Sequence, residues 1–450
     1  MIIDFCFKNY KSFKEAQNFS MRRDTSVELE KASITGGVLP SEGINRVSAV
    51  YGANASGKSN FLESIVALKT FVETGELFDV NYINNDDISS FNIIFFYNDK
   101  KYSYMLEILK DKIHHEKLLI YNSSRPSLVF EYSANPRSLV FGEPISDDES
   151  TAIKYNSQNA PDSPVLHLLK DSINKDVKNA FLFFESGIVA QDVPENNEQL
   201  TEAKLRRTIE TDVAAQSFYN SIISAADLGI KNVKLVDVES NISSGMNDEQ
   251  LNILTDAIIK IDAAGNNRLS DDDKERLKKT IGEKIKRASF IHEIDDNLVS
   301  FAFQDESHGT ITASNIFLDL KKILEQGAVY VVDEIDCSMH PTIVVQIINI
   351  FNNAETNPNN AQLIFSTHDI SILDSSIYGE NILDRDQVWF TEKNERGQSS
   401  LYSLMQIGGT RKDDNLYRKY ISGRYGAIPK VSLYYEMLKY WENMKSEGGK

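Results

Sequence analysis

Two glycines, a lysine and a hydroxyl stand at the spacing of a phosphate-binding loop in Gly52-Ala-Asn-Ala-Ser-Gly57-Lys58-Ser59. The segment follows the apolar run Val47 to Tyr51 and precedes a helix-like stretch, Ser59 to Phe71. Strand, glycine-rich loop and helix in that order make a P-loop. Backbone N–H groups can wrap a triphosphate only where Gly52 and Gly57 let the chain turn without a clashing Cβ. The helix N-terminus adds a favourable field for the anion. Lys58 then reaches the β and γ phosphates, the Ser59 hydroxyl ligates Mg²⁺, and Asn54 and Asn60 complete the cradle, so the expected ligands are ATP and Mg²⁺.

A partner for this loop lies far downstream, where the apolar run Ala328-Val-Tyr-Val-Val ends in Asp333 and Glu334. A buried parallel strand is nearly all apolar, and a carboxylate at its C-terminal end meets the ligand crevice of an α/β sheet. This is a Walker B strand, with Asp333 a metal ligand and Glu334 the group that orients and polarises the attacking water. A further apolar run, Gln362 to Phe365, leads into Ser366-Thr367-His368-Asp369 and puts His368 at a neighbouring strand tip. His368 is a candidate γ-phosphate sensor; a lone histidine more often has a purely structural role, but its place after the Walker B strand favours the sensor.

Ile335-Asp336-Cys337-Ser338-Met339-His340-Pro341 resembles the D-loop and following helix of the ABC-type ATPase heads of the SMC, RecF and OLD group. The resemblance implies a signature loop supplied in trans by a second head. Asp305-Glu-Ser307-His-Gly309-Thr310 is the candidate, with Ser307 and Gly309 matching signature positions and His308 departing from them. The plainer reading is a polar turn capping the helix-like Ala313 to Leu324. On the ABC-type scheme, ATP is sandwiched between the P-loop of one copy and Ser307 and Gly309 of another, Asp336 couples the two sites, and the chain forms a homo-oligomer through facing heads. The Q-loop glutamine of such heads is expected near Phe91. Ala55 replaces a usual glycine, harmless unless the position needs positive φ. Arg22 and Arg23 are left out of the site.

A narrower resemblance spans nearly the whole chain. Asn9-Tyr-Lys-Ser-Phe13, Ala226-Asp-Leu-Gly-Ile230, Glu306-Ser-His-Gly-Thr310, the Walker B and D-loop segment, Ala361 to Asp369, Asp386-Gln-Val-Trp-Phe390 and Gly423-Arg-Tyr-Gly-Ala-Ile-Pro429 occur in that order. The set is similar to the RloA/AbiLi-type bacterial ATPases, to which the AriA ATPase of PARIS anti-phage systems is related. The resemblance implies a sensor or regulator subunit working beside a separate effector, usually a nuclease, with a nucleic acid or phage protein as trigger. The alternative is a RecF- or SMC-like ATPase acting directly on DNA. About twenty residues follow the last motif, too few for the Toprim nuclease of OLD proteins.

These motifs call for an α/β fold: an ABC-type head with a flanking antiparallel sheet and a helical insertion. Residues 1–164 are expected to form the first half of the head, 165–288 the insertion, and 289–450 the second half. Strand-like runs at Phe91 to Tyr97, Tyr102 to Ile108, Lys117 to Tyr121, Leu128 to Tyr132 and Ser138 to Phe141 supply the antiparallel sheet, and Ser146 to Pro164 is expected to be a loose polar connection. Helices are expected at Val165 to Phe183, Gln199 to Ala226, Asp248 to Ile261 and Asp271 to Arg287. The P-loop and Walker B strands are expected to be adjacent.

Composition narrows the classes. With 48 basic and 66 acidic residues, the net charge of −18 argues against a broad nucleic-acid footprint and suits a basic protein partner. The densest basic cluster, Lys278, Lys279, Lys284, Lys286 and Arg287, is expected on a solvated helix face. Asp262 to Asp273 looks superficially like a calcium loop but has the wrong spacing. Apolar runs fall far short of the roughly twenty residues that span a bilayer, the N-terminus carries no leader, and Cys6 and Cys337 form no framework; a cytoplasmic protein is expected.

Overall fold

The computed structural model describes residues 1–27, 34, 43–77, 87–122, 125–159, 162–192, 198–226, 228–238, 285–411, 414–429 and 431–447. They include strands β1 (Ile2–Lys8), β2 (Gln17–Ser20), β3 (Val47–Tyr51), β4 (Ser89–Tyr97), β5 (Lys100–Leu109), β6 (Lys112–Tyr121), β7 (Pro126–Ala134) and β8 (Arg137–Phe141). The series continues with β9 (Ile188–Asp192), β10 (Ile230–Val238), β11 (Ile285–Ile294), β12 (Asn297–Ala302), β13 (Val329–Asp333), β14 (Gln362–Ser366), β15 (Val388–Lys393) and β16 (Ser399–Ser403). The chain divides into two compact units, Met1–Pro194 with Lys322–Lys450, and Glu195–Lys321.

The first unit holds two sheets. Its core sheet has the order β16-β15-β3-β14-β13-β9, parallel from β15 to β9 and closed at one edge by antiparallel β16. β3 and β14 are buried along their whole length, which explains their unbroken apolar runs. The second sheet is antiparallel, in the order β2-β1-β4-β5-β6-β7-β8. Alternating burial along β5 gives it one inward face, and the Asn98-Asp99 turn before it takes positive φ at both residues, the geometry of a two-residue hairpin.

The P-loop helix, Lys58–Thr74, buries Phe61, Leu62, Ile65, Leu68, Phe71 and Val72, a repeat of three and four residues that marks one face. Phe61 packs on Phe7 of β1 and Phe19 of β2 at centroid distances of 6.0 and 4.9 Å, and Phe19 meets Trp389 of β15 at 4.9 Å. Aromatic burial therefore ties the antiparallel sheet, the helix and the core sheet together, which fixes the helix end that carries Lys58.

Several expectations need correction. The P-loop and Walker B strands are not adjacent: β14 lies between them, pairing with β3 on one side and β13 on the other. The expected helix from Val165 is two, Val165–Leu168 and Lys175–Glu185, because Asn174 caps the second by accepting from the amides of Asp176 and Val177. Ile188–Asp192 then returns to the core sheet, so the second unit begins near Glu195, not at 165. The polar stretch after Ser146 contains a helix, Asp147–Asn159, whose first turn carries three acidic residues favoured by the helix dipole.

The second unit is not purely helical. Gln199 to Ala226 forms two helices, Glu198–Thr211 and Val213–Ala225, divided at Asp212, which caps the second. β10, β11 and β12 make an antiparallel sheet, and Ile285 to Arg287 lies in β11, not in a helix. The expected helix Asp248 to Ile261, the Asp262 to Asp273 loop and the lysines 278, 279 and 284 lie outside the described residues. No helix among the described residues is long and apolar enough to cross a membrane.

Candidate nucleotide site

The P-loop leaves the carboxyl end of β3 and is braced from behind by hydroxyls. A Cβ on Gly52 would lie 2.5 Å from the Thr391 carbonyl oxygen, and one on Gly57, whose φ is 121°, would lie 2.7 Å from Ser399 Oγ. Only glycine fits at either position. Ser56 Oγ pairs with Thr391 Oγ1 at 2.6 Å, and Ser399 Oγ donates to the Ser56 carbonyl at 2.6 Å. Ser12, from the Asn9 to Phe13 segment, accepts from Asn60 Nδ2 at 2.7 Å, and its Oγ pairs with Ser399 Oγ at 2.8 Å. Asn60 thus anchors the helix to the antiparallel sheet side, while Asn54 and Ser59 are exposed on the open face of the loop. Ala55 has φ 61°, the left-handed conformation that alanine adopts at a cost of roughly 1–2 kcal/mol.

Lys58 is buried at the helix start, and its Nζ donates to the carbonyls of Gly52 at 3.1 Å and Ala53 at 3.4 Å. Burial lowers the pKa of this ammonium, while the carboxylates of Glu334, Asp333 and Asp336 pull it back up. Lysine and carboxylates therefore share one field at the carboxyl end of the core sheet.

Asp333 ends β13 and accepts from Ser366 Oγ at the end of β14. Glu334 follows with φ 48°, a strained left-handed residue whose amide donates to Ser366 Oγ at 2.7 Å. Its Oε1 is 3.7 Å from His368 Nε2, and these side chains are 37% and 38% exposed. Asp336 accepts from the His368 amide with both carboxylate oxygens at 3.2 Å. The D-loop acid, the Walker B acids and the histidine are therefore one cluster.

Ser307 and Gly309 belong to the other compact unit. Ser307 Oγ accepts from the Thr310 amide at 3.2 Å and pairs with Thr310 Oγ1 at 2.9 Å, so it caps the helix His308–Gln326, in whose first turn Gly309 lies. Glu306 holds His292 of β11 at 2.7 Å. Within one chain, the plainer capping reading describes this segment.

The motifs did not point to Ser12, Ser366, Thr391 and Ser399 as site residues, because isolated hydroxyls carry no spacing signal; burial beside a glycine loop is what singles them out. The glutamine expected near Phe91 is not placed there by the fold. A different glutamine, Gln191, sits at the carboxyl end of β9 beside Val332, and its side chain accepts from Tyr330. Its strand was hidden inside an apparently helical stretch. The Gly423 to Pro429 segment packs behind β3: Tyr420 lies 6.1 Å from Tyr51, and the hydroxyls of Tyr402 and Tyr420 donate to the carbonyls of Tyr425 and Ala427.

The donor set fits a magnesium nucleotide: a loop of amides closed to side chains, one buried ammonium, an exposed Ser59 hydroxyl, and Asp333 across the cleft. Among the described residues no group of three or more His, Cys, Asp or Glu could hold a metal alone.

The SMC head domain from Thermotoga maritima is similar in structure, with a TM-score of 0.39 and 13% identity over 89% of this chain and 98% of that one. No curated protein matches the sequence. Residues 47–374 match the family described as "AAA domain, putative AbiEii toxin, Type IV TA system". This match covers both halves of the nucleotide site, and the chain belongs to that family of P-loop ATPases.

Proposed function

We propose that the chain binds ATP with Mg²⁺ and hydrolyses it to ADP and phosphate. The observation that carries this reading is the convergence of Lys58, Asp333, Glu334, Asp336 and His368 at the carboxyl ends of β3, β13 and β14. The loop amides and Lys58 hold the phosphates, and Ser59 and Asp333 hold the metal, which when bound neutralises charge on the phosphate oxygens. Glu334 orients water and takes its proton, and His368, within reach of Glu334, senses the γ-phosphate. Each site is completed by Ser307 and Gly309 of a second copy, so ATP binding draws two heads together and hydrolysis parts them.

We further propose that this cycle controls a separate effector, a nuclease-like protein, in defence against phage. The order of motifs along the chain and the toxin–antitoxin description of the family support that role. The charge of −18 favours a basic protein partner over a broad DNA footprint. Affinity purification from the native gene neighbourhood, with and without ATP, tests it. A stoichiometric nuclease-like protein whose retention is lost in Lys58→Ala is the expected result. Recovery of this chain alone, with ATP-dependent DNA binding, would instead favour a RecF-like clamp.

A further inference from the structure

We propose that Ser366 is the positioning residue of the site, setting the direction of both Walker B carboxylates through one hydroxyl; this rests on the ATPase reading above. Ser366 is fully buried at the end of β14, in register with Val50 of the P-loop strand. Its Oγ donates to Asp333 Oδ1 and accepts from the Glu334 amide at 2.7 Å, and its carbonyl accepts from the Ile335 amide at 3.1 Å. One residue therefore binds three successive positions of the facing strand end.

Two consequences follow from the chemistry. A proton donated to Oδ1 fixes the carboxylate plane of Asp333 and leaves Oδ2 as the oxygen directed to a metal. The hydrogen bond from the Glu334 amide to Ser366 Oγ pins the peptide plane from which φ 48° sets the side chain's direction, a conformation that a side chain with a Cβ keeps only where its surroundings over-determine it. That same conformation brings Glu334 Oε1 to 3.7 Å from His368 Nε2. Without the hydroxyl, the part-buried Glu334 amide loses its acceptor, the turn relaxes to negative φ, and the carboxylate swings away from the histidine.

Ser366→Ala, Ser366→Thr and wild type test this by steady-state hydrolysis, calorimetric ATP binding with and without Mg²⁺, and amide hydrogen exchange across 333–336 in the nucleotide-free protein. In Ser366→Ala we expect kcat to fall about 10–100-fold, metal-free ATP affinity to stay within about twofold, the gain in affinity on adding Mg²⁺ to disappear, and exchange to quicken. Thr keeps the hydroxyl and restores most of kcat. If Ser366→Ala does not fold, Ser366→Cys fills the same space with a weak hydrogen-bonding group and must show the same pattern. A folded Ala or Cys variant with kcat within about twofold of wild type and an intact Mg²⁺ effect overturns the proposal while leaving the ATPase reading in place. Wild type that neither binds nor hydrolyses ATP sinks that reading, and the role of Ser366 with it.

Discussion

The two ends of the core sheet carry charges in opposite ways. At the amino end, Arg23 pairs with Asp384 at 2.8 Å and Asp386 at 3.2 Å, and all three side chains are no more than 3% exposed. Asn45 and the Asp24 amide complete the set, so every strong charge has a fixed partner. At the carboxyl end, Glu334 and His368 stand 3.7 Å apart and more than a third exposed, Ala55 and Glu334 hold left-handed backbone, and Lys58 is held by carbonyls of its own loop. Paired charges at one end staple the chain; under-committed charges at the other leave bonding capacity for a ligand. The contrast separates Arg23, left out of the site on sequence grounds, from Lys58, which faces the loop.

The paired charges at the amino end should hold the fold without touching nucleotide. Arg23→Ala leaves two buried carboxylates unpaired and should cost about 3–5 kcal/mol in urea unfolding, with ATP affinity of the folded fraction unchanged. A loss of affinity without a loss of stability would place Arg23 in the site.

A third buried charge, Glu116, responds to pH. Glu116 of β6 is fully buried and accepts from the Tyr104 hydroxyl and the amides of Val165 and Leu166, yet burial pushes its pKa up to about 7. A carboxyl raised in the folded state contributes stability that is complete below its unfolded value near 4.5 and is lost as pH rises through about 7. The shift corresponds to about 3 kcal/mol. Glu116→Gln should remove that slope, so wild type measured against it loses stability between pH 4.5 and 7. Parallel curves for the two would show that Glu116 does not titrate in this window.

At the carboxyl end, Lys58→Ala should weaken ATP binding in calorimetric titration by about 10–150-fold, the value of a charged hydrogen bond of 1.5–3 kcal/mol. Ala55→Gly should have the smallest effect, a gain of up to about 1 kcal/mol from relief of left-handed strain, offset by glycine's larger unfolded-state entropy. Destabilisation by that substitution would mean the loop tolerates alanine without strain.

Much of the first unit was legible because its signals are local. Gly52 to Ser59, the apolar runs of β3, β13 and β14, and the hairpin at Asn98-Asp99 each declare a backbone geometry within a few residues. Strand order was less legible: nothing local in Val329 to Asp333 says that β14 will slot between it and β3. The second unit was misread where long amphipathic stretches hid breaks, as at Asp212, and where β10, with Lys231 and Lys234 three residues apart, lacks the strict alternation that marks a strand. The hydroxyls at Ser12, Ser366 and Ser399 were invisible, since a serine's role depends on which backbone group lies opposite it.

Hydrolysis at this site depends above all on Glu334. Phosphate release by Glu334→Gln and wild type, with ATP affinity measured for both, tests it directly. The predicted result is ATP binding within a few-fold of wild type and turnover about 10²–10⁴-fold slower, the share expected of a positioned general base. Turnover in Glu334→Gln equal to wild type would contradict the account.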